Sequence, residues 1–375
     1  MADARARSAG SPDARADTAR AHLAVLAREP RAAGSSAERR AREYCAERLR
    51  ALGFIVREEP FEYSAAPGRW GTPAGGIAAI ALVWAAAAAG ATGRGVAASA
   101  ILVGGGIALA AAATLLAHRG VSGLPFLRAR GVNLVAERGT PRVWLVAHLD
   151  SKSQPVPIAV RALGVMASIA VWGAAVAAAL TQALGRGPIP PWLAIAALAA
   201  VAGAPVAASV VRNRSPGALD DASGVATVLL AAEGAPREIG LGVLLTSAEE
   251  LGLAGALAWA RGRDAPGTAI NVDGVDDSGG VRLTWTRRPP ETLLAAFRRA
   301  AAAERLPLRT GRLVPGVLLD GVALANRGWN VVTLSKGSWR TVARIHTPRD
   351  ALRALEGRGV ALAARLTLRA LDEFG

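Results

Sequence analysis

Two long stretches of this 375-residue chain are almost without charge, and they limit what it can become. Residues 70–117 hold one charged side chain, Arg94, and residues 162–211 hold only Arg186. Each stretch is rich in Ala, Val, Leu and Gly and is long enough for two bilayer-spanning helices, since a span needs about 20 apolar residues. The expected spans are 72–92, 95–117, 162–185 and 189–211. A helix in a soluble core keeps a polar face over such a length, so a soluble hairpin is the weaker account.

The charge that remains is lopsided. The formal net charge is +15, and nearly all of the 44 Lys and Arg are Arg. They are scattered, with no basic stripe interleaved with aromatic residues such as a nucleic-acid groove uses. A basic membrane protein facing anionic lipid accounts for the excess, and no nucleic-acid partner is expected. Cys45 is the sole cysteine, so no internal disulfide can form. It is expected as a small buried residue on a helix. The first 20 residues are charged and lack the apolar run of a secretory signal, and residues 1–14 are expected to be disordered.

Between the apolar stretches, strand and helix signals alternate. Residues 15–52 read as two helices, the second opened by a Ser35/Glu38 capping pattern and closed at Gly53. "FIVREEPFEY" reads as a strand, and residues 133–138 and 143–150 as a strand pair joined by "GTPR". Further strands are expected at 241–247, around "GTAINVDG" and at 329–335, with helices between them, at 291–306 and at 350–374. Such alternation implies an α/β layered domain with a parallel or mixed sheet. The expected organisation is one α/β domain built from residues 15–70, 118–157 and 212–375, interrupted by transmembrane hairpins at 72–117 and 158–211. Arg69, Arg119, Arg128, Arg130, Lys152, Arg161, Arg212 and Arg214 flank the spans on the domain side, against Arg94 and Arg186 at the hairpin tips. The positive-inside rule therefore makes this a multi-pass membrane protein with its soluble domain in the cytoplasm.

Five short segments carry chemistry. His148 closes the apolar run "VWLVA", at the carboxyl end of a strand where α/β sheets gather ligands. Asp150 stands two residues on, placed to bond the imidazole N–H and fix its tautomer. Asp220 and Asp221 are adjacent at a helix start, and their repulsion is relieved by a cation. Glu249 and Glu250 follow a strand, so one is able to bind a metal while its neighbour handles protons. Asp273 ends "INVD", and His346 sits in "IHTPRD". Alone, each segment is read equally well as a turn or a helix cap. His22, in a helical run, and His118, at a membrane edge, are expected to be solvated or interfacial.

In this order the segments HxD, GxxDDxSG, EExGLxGx, NxD and HTxxD resemble the M28 zinc peptidases, a family of aminopeptidases, glutamate carboxypeptidases and their relatives. The resemblance covers about residues 20–70, 130–155 and 215–375 and leaves out both hairpins. It implies a three-layer α/β/α zinc-exopeptidase-like domain with a mixed central sheet. It implies two zinc ions, the first held by His148 and Asp273, the second by Glu250 and His346, with Asp220 bridging. Glu249 is then the general base and acid, and Asp150 orients His148; Asp221 and Ser223 match the motif without being ligands. The implied substrate is a peptide or an N-acyl amino acid, cleaved by an exopeptidase of the aminopeptidase kind beside membrane lipid.

Three departures stand out. His148 and Asp220 lie 72 residues apart, where the family has a short loop; the second hairpin fills the gap and is expected to bring the site close to the bilayer. Ile345 stands where several relatives have a Tyr that donates to the oxyanion, so another donor or the metals must serve. Ala256 replaces a commoner Ser. The competing readings are a glutaminyl cyclase, which uses one zinc, and a peptidase-like membrane scaffold without activity. A transporter ranks last, because the spans carry no intramembrane charge. The oligomeric state is left open, with Gly104–Gly106 as a possible packing face.

Overall fold

The computed structural model describes residues 12–119, 124–186, 188–263, 265–314 and 316–374. In chain order its elements begin with α1 (Pro12–Leu26), α2 (Ser36–Ala51), β1 (Ile55–Ser64), α3 (Ala66–Ala91) and α4 (Gly95–Arg119). There follow β2 (Arg128–Arg138), β3 (Val143–His148), α5 (Ile158–Ala183), α6 (Trp192–Ala207), α7 (Ser223–Gly234), β4 (Leu241–Thr246), α8 (Ala254–Arg261) and β5 (Thr268–Val275). The rest are β6 (Gly280–Trp285), α9 (Glu291–Ala303), β7 (Leu308–Arg312), α10 (Asp320–Asn326), β8 (Asn330–Gly337), α11 (Trp339–Arg344) and α12 (Arg358–Leu371). They form two units, one within residues 1–64, 122–153 and 213–375, the other within 65–121 and 154–212.

In the first unit the described strands make one sheet in the order β1-β2-β4-β3-β5-β8-β6-β7. The centre, β4-β3-β5-β8, is parallel, and antiparallel pairs join β1, β2 and β6 to it. β3 and β4 are buried along their whole length, which suits strands covered on both faces. Successive residues therefore feed opposite layers. Leu145 and Ala147 join a core with Leu23, Leu49, Val225, Phe297 and Leu366, from α1, α2, α7, α9 and α12. Trp144 and Val146 join a second core with Trp259 of α8 and Leu324 of α10. There Trp144, Trp259 and Trp329 form a row with centroids 4.7 and 4.9 Å apart. This is the expected three-layer α/β/α domain with a mixed sheet.

Local signals hold at α2. Ser35 accepts the Glu38 N–H at 3.2 Å, and Gly53, at φ +82°, ends the helix. The Glu38 carboxylate reaches the Gly34 N–H, one residue before the cap. Cys45 is buried on this helix as expected.

Four expectations need correcting. β2 and β3 do not pair, because β4 lies between them. A fully apolar strand such as β3 needs partners on both edges, whereas β2 carries Arg128, Arg130, Glu137 and Arg138 at its ends and sits outside β4. The last two strands of the sheet, β6 and the edge strand β7, were not expected; they are short and interleave Arg282, Arg309 and Arg312 with the apolar positions. The closing helix begins at Arg358 rather than 350, after Gly357 at φ +90°. His22 is buried rather than solvated, with Nδ1 2.7 Å from the Tyr44 hydroxyl, and burial followed by Arg48 pushes it down to about 4. The side chain of His118, and residues 1–11 of the expected disordered start, lie outside the described residues; α1 already begins at Pro12.

In the second unit, Ala66–Ala91, Gly95–Leu116 and Ile158–Ala183 are long and apolar enough to cross a membrane. α6 has 16 residues, or about 24 Å at 1.5 Å per residue. Pro190 and Pro191, which cannot continue a helix backward, delay its start relative to the expected span at 189. Small residues let these helices approach closely. A Cβ on Gly90 would lie 2.1 Å from the Trp192 ring, and one on Gly105 2.8 Å from Leu82, whereas Gly104 faces open space. Gln182 ties the contact together, donating to the Gly90 carbonyl at 2.8 Å and accepting the Trp192 indole N–H at 3.0 Å.

Alanine is a better helix former than glycine by about 1 kcal/mol, but overpacking costs about 1–3 kcal/mol. Gly90→Ala is therefore expected to lower the thermal unfolding midpoint in detergent, while Gly104→Ala leaves it unchanged or raises it. Tryptophan fluorescence melts of the two variants check this.

Candidate metal centre

The parallel strands β3, β4 and β5 deliver their last residues to one place in the first unit. His148 ends β3, Glu249 and Glu250 follow β4, Asp273 lies near the end of β5, and β8 with α11 leads to His346. Asp220 sits in the irregular turn Ala218–Ala222 before α7. Its carboxylate spans two imidazoles, Oδ1 lying 3.0 Å from His148 Nε2 and Oδ2 2.9 Å from His346 Nε2. Glu250 Oε1 lies 3.2 Å from the same His346 nitrogen. His346 is held at φ +62°, a left-handed conformation that ordinary residues adopt mainly where the surroundings impose it.

The ligand atoms fall into two groups, His148–Asp220–Asp273 and Asp220–Glu250–His346, within each of which all atoms lie within 4.8 Å of one another. Asp220 belongs to both. Mixed imidazole and carboxylate donors suit zinc. Two further observations fit a cation in this pocket. Asp320 Oδ1 is buried and makes no hydrogen bond among the described residues. The acids also crowd one another: burial and neighbouring carboxylates raise Glu249 well above its ordinary range and push Asp273 up to about 7 and Asp320 up to about 6. Burial works the same way on Glu250, but Lys152 and His346 outweigh it and hold Glu250 down at about 2. The residues therefore fit a bound metal.

Behind these acids lie three carboxylates of a different kind. Asp150 accepts the main-chain N–H groups of Glu249 at 3.1 Å and Glu250 at 3.2 Å. It meets His148 chiefly through its own carbonyl, 3.0 Å from Nδ1, with its carboxylate 3.6 Å from that nitrogen. Asp221 accepts from His148, Gly224 and Gly274 at 3.3, 2.9 and 3.2 Å. A Cβ on Gly224 would lie 2.3 Å from that carboxylate, so the motif's glycine is required by space. Asp350 accepts from Leu219 at 2.5 Å and Asp220 at 3.2 Å. Ser223 bonds the Leu219 carbonyl and the Val275 N–H, a framing role.

Several participants were not foreseen. Arg31 is fully buried and donates to the carbonyls of Leu26, Leu149, Pro216 and Gly217. Nothing in "REPRAAG" marks it. Lys152 counted only as a flanking charge, yet its Nζ lies 2.6 Å from Glu250 Oε2; its place two residues after Asp150 was the available clue. Asp320 is buried beside the pocket and accepts from Thr246 Oγ1. A neck of hydrogen bonds joins the segments that bracket residues 154–212. Ser151 Oγ donates to the Ser215 carbonyl at 3.0 Å, and the Arg214 N–H reaches Ser153 Oγ at 2.9 Å.

Residues 200–371 match the family model described as Peptidase family M28. The match covers a little under half of the chain. That segment takes in Asp220, Glu249, Glu250, Asp273 and His346, while His148 and Asp150 lie before it. Among solved structures, an aminopeptidase from Aneurinibacillus sp. strain AM-1 is 14% identical, with TM-score 0.57 over 96% of this chain and 93% of that one. A zinc aminopeptidase from Bacillus subtilis is 14% identical, with TM-score 0.56 over 96% and 94%. Porphyromonas gingivalis glutaminyl cyclase is 16% identical, with TM-score 0.53 over 96% and 98%. At these identities what these solved structures share with this chain is the fold. No curated protein matches the chain.

Outer contacts of this kind are worth about 10- to 100-fold in metal affinity. Asp350→Ala, which strips the acceptor from the Leu219 and Asp220 N–H groups, is expected to weaken zinc retention by about that factor while the chain still folds. Competition with a chromophoric chelator, beside a thermal melt, measures both.

Proposed function

We propose that the chain is a membrane-anchored zinc peptidase of the M28 type that uses two metal ions and acts as an exopeptidase on peptides or N-acyl amino acids. The observation that carries this reading is Asp220, whose two oxygens face His148 and His346 and so join two ligand groups into one centre. His148 and Asp273 would hold one ion, Glu250 and His346 the other, with Asp220 between. Zinc in these places supplies Lewis-acid activation of water and of the scissile carbonyl.

The chain's own residues do the rest. Glu249 is buried beside both groups, and that environment raises its proton affinity. It is suited to take a proton from the attacking water and return it to the leaving nitrogen. Asp150 fixes the main chain of Glu249 and, through its carbonyl, the ring of His148. The apolar helices supply the anchor, and the arginine distribution supports a cytoplasmic peptidase domain.

A second reading is cyclisation of N-terminal glutamine, because glutaminyl cyclases are among the fold neighbours. The complete second ligand group favours hydrolysis. The detergent-purified chain is expected to hold two zinc ions by elemental analysis and to cleave members of an aminoacyl and N-acyl panel that includes a glutaminyl peptide. Glu249→Gln is expected to keep the zinc and lose about 10²- to 10⁴-fold in turnover, the usual worth of a positioned proton carrier. Zinc-free protein, or full activity in the variant, would sink the proposal.

A further inference from the structure

Hydrolysis of an amide builds negative charge on the carbonyl oxygen, and a positioned donor is the usual stabiliser. Position 345, next to the last imidazole, holds an isoleucine packed against the core, which has nothing to donate. The cations around the site differ in what they have left to give. Arg31 is fully buried, and its N–H groups go to four main-chain carbonyls. Lys336 gives its ammonium to the carbonyls of Asp276 and Asp277 at 2.9 and 2.7 Å. Lys152 pairs only with Glu250 among the described residues, at 2.6 Å. An ammonium has three N–H donors, so two remain. The side chain is 19% exposed, sheltered enough for a strong charge–dipole contact and open enough for a substrate to reach.

We propose that Lys152 is a catalytic residue, donating from its ammonium to the scissile carbonyl oxygen as that oxygen becomes negative. This rests on the peptidase reading. Both neighbours in sequence are pinned: Ser151 accepts the Arg31 N–H at 3.0 Å and donates to Ser215, and Ser153 accepts from Arg214. The backbone beneath Lys152 is thereby fixed, and Glu250 fixes its tip, so the donor is in place before substrate arrives.

The step balances without a further reactant. The water oxygen bonds to the carbonyl carbon, the π pair moves to the carbonyl oxygen, and one water proton passes to Glu249. The charged oxygen then accepts the Lys152 N–H bond. On collapse the carbon–nitrogen bond breaks and Glu249 returns its proton to the amine, while Lys152 keeps its own proton throughout. The products are an acid and an amine.

The test uses the full zinc-loaded chain in detergent, comparing wild type, Lys152→Met, Lys152→Arg and Glu249→Gln. It reads kcat, KM, zinc content and affinity for an aminoalkyl phosphonate, a tetrahedral mimic. Lys152→Met is expected to lose about 10²- to 10³-fold in kcat, as loss of one oxyanion donor does. KM and zinc content should hold, phosphonate affinity should fall, and Lys152→Arg should lie between. Loss of zinc along with activity would overturn the proposal, since Lys152 would then only support Glu250. If wild type cleaves, Glu249→Gln is dead and Lys152→Met stays within about threefold in kcat with unchanged phosphonate binding, the donor role falls and the peptidase stands. If wild type cleaves nothing, the peptidase reading falls and the catalytic role of Lys152, which rests on it, falls too; weaker phosphonate binding by Lys152→Met then records an anion contact alone. No cleavage with equal phosphonate binding overturns both.

Discussion

Main-chain N–H groups bonded to three buried carboxylates hold this site in shape. Asp150 ties the loop after β3 to the loop after β4, Asp221 ties the turn before α7 to the ends of β3 and β5, and Asp350 ties the His346 loop to that same turn. Each bond thus joins two segments that supply ligands. A buried carboxylate without donors is costly; these three accept two or three N–H bonds each, and burial still raises Asp221 well above its ordinary range and pushes Asp350 up to about 7. Arg31 lies among them and adds a positive charge that all three feel. The inner acids Glu249, Asp273 and Asp320 have no comparable set of donors. Their raised proton affinities follow from burial and from the neighbouring carboxylates.

The candidate ligands were legible because chemistry restricts them. Only His, Asp, Glu and Cys bind zinc well, and a chain with four histidines offers few combinations. Their order, each after an apolar run, made His148, Asp220, Glu250, Asp273 and His346 readable as a set, and the structure brings them together. The supporting cations were not legible. Arg31 acts through main-chain carbonyls that no pattern identifies, and Lys152 reaches Glu250 from a distance of 98 positions in the sequence. Asp150 was read as a partner of the imidazole through its carboxylate, yet that carboxylate holds the main chain of two glutamates.

The fold was legible to the same degree and for similar reasons. Long apolar strands and the α/β alternation are local signals, so the layers could be anticipated. Strand pairing is not local. β2 and β3 adjoin in sequence, but β4 arrives from more than 90 residues later and separates them. β6 and β7 depend on β8 for a place at the edge and have little apolar pattern of their own. In the second unit, composition marked the helices, but not that Gly90 would receive an indole ring or that two prolines would shorten α6.

The neck formed by Ser151, Ser153, Arg214 and Ser215 has a consequence for how such a chain tolerates its long insertion. Closing a loop costs entropy that grows only with the logarithm of its length, about 0.6 kcal/mol per doubling. Where the two ends are already stapled, that penalty falls on the staple and not on the ligands beyond it. To the polymer statistics of the first unit, residues 154–212 are one loop among others. Changing the length of that loop is not expected to alter the spacing of His148 and Asp220. The insertion is in this sense decoupled from the geometry of the candidate ligands on either side of it.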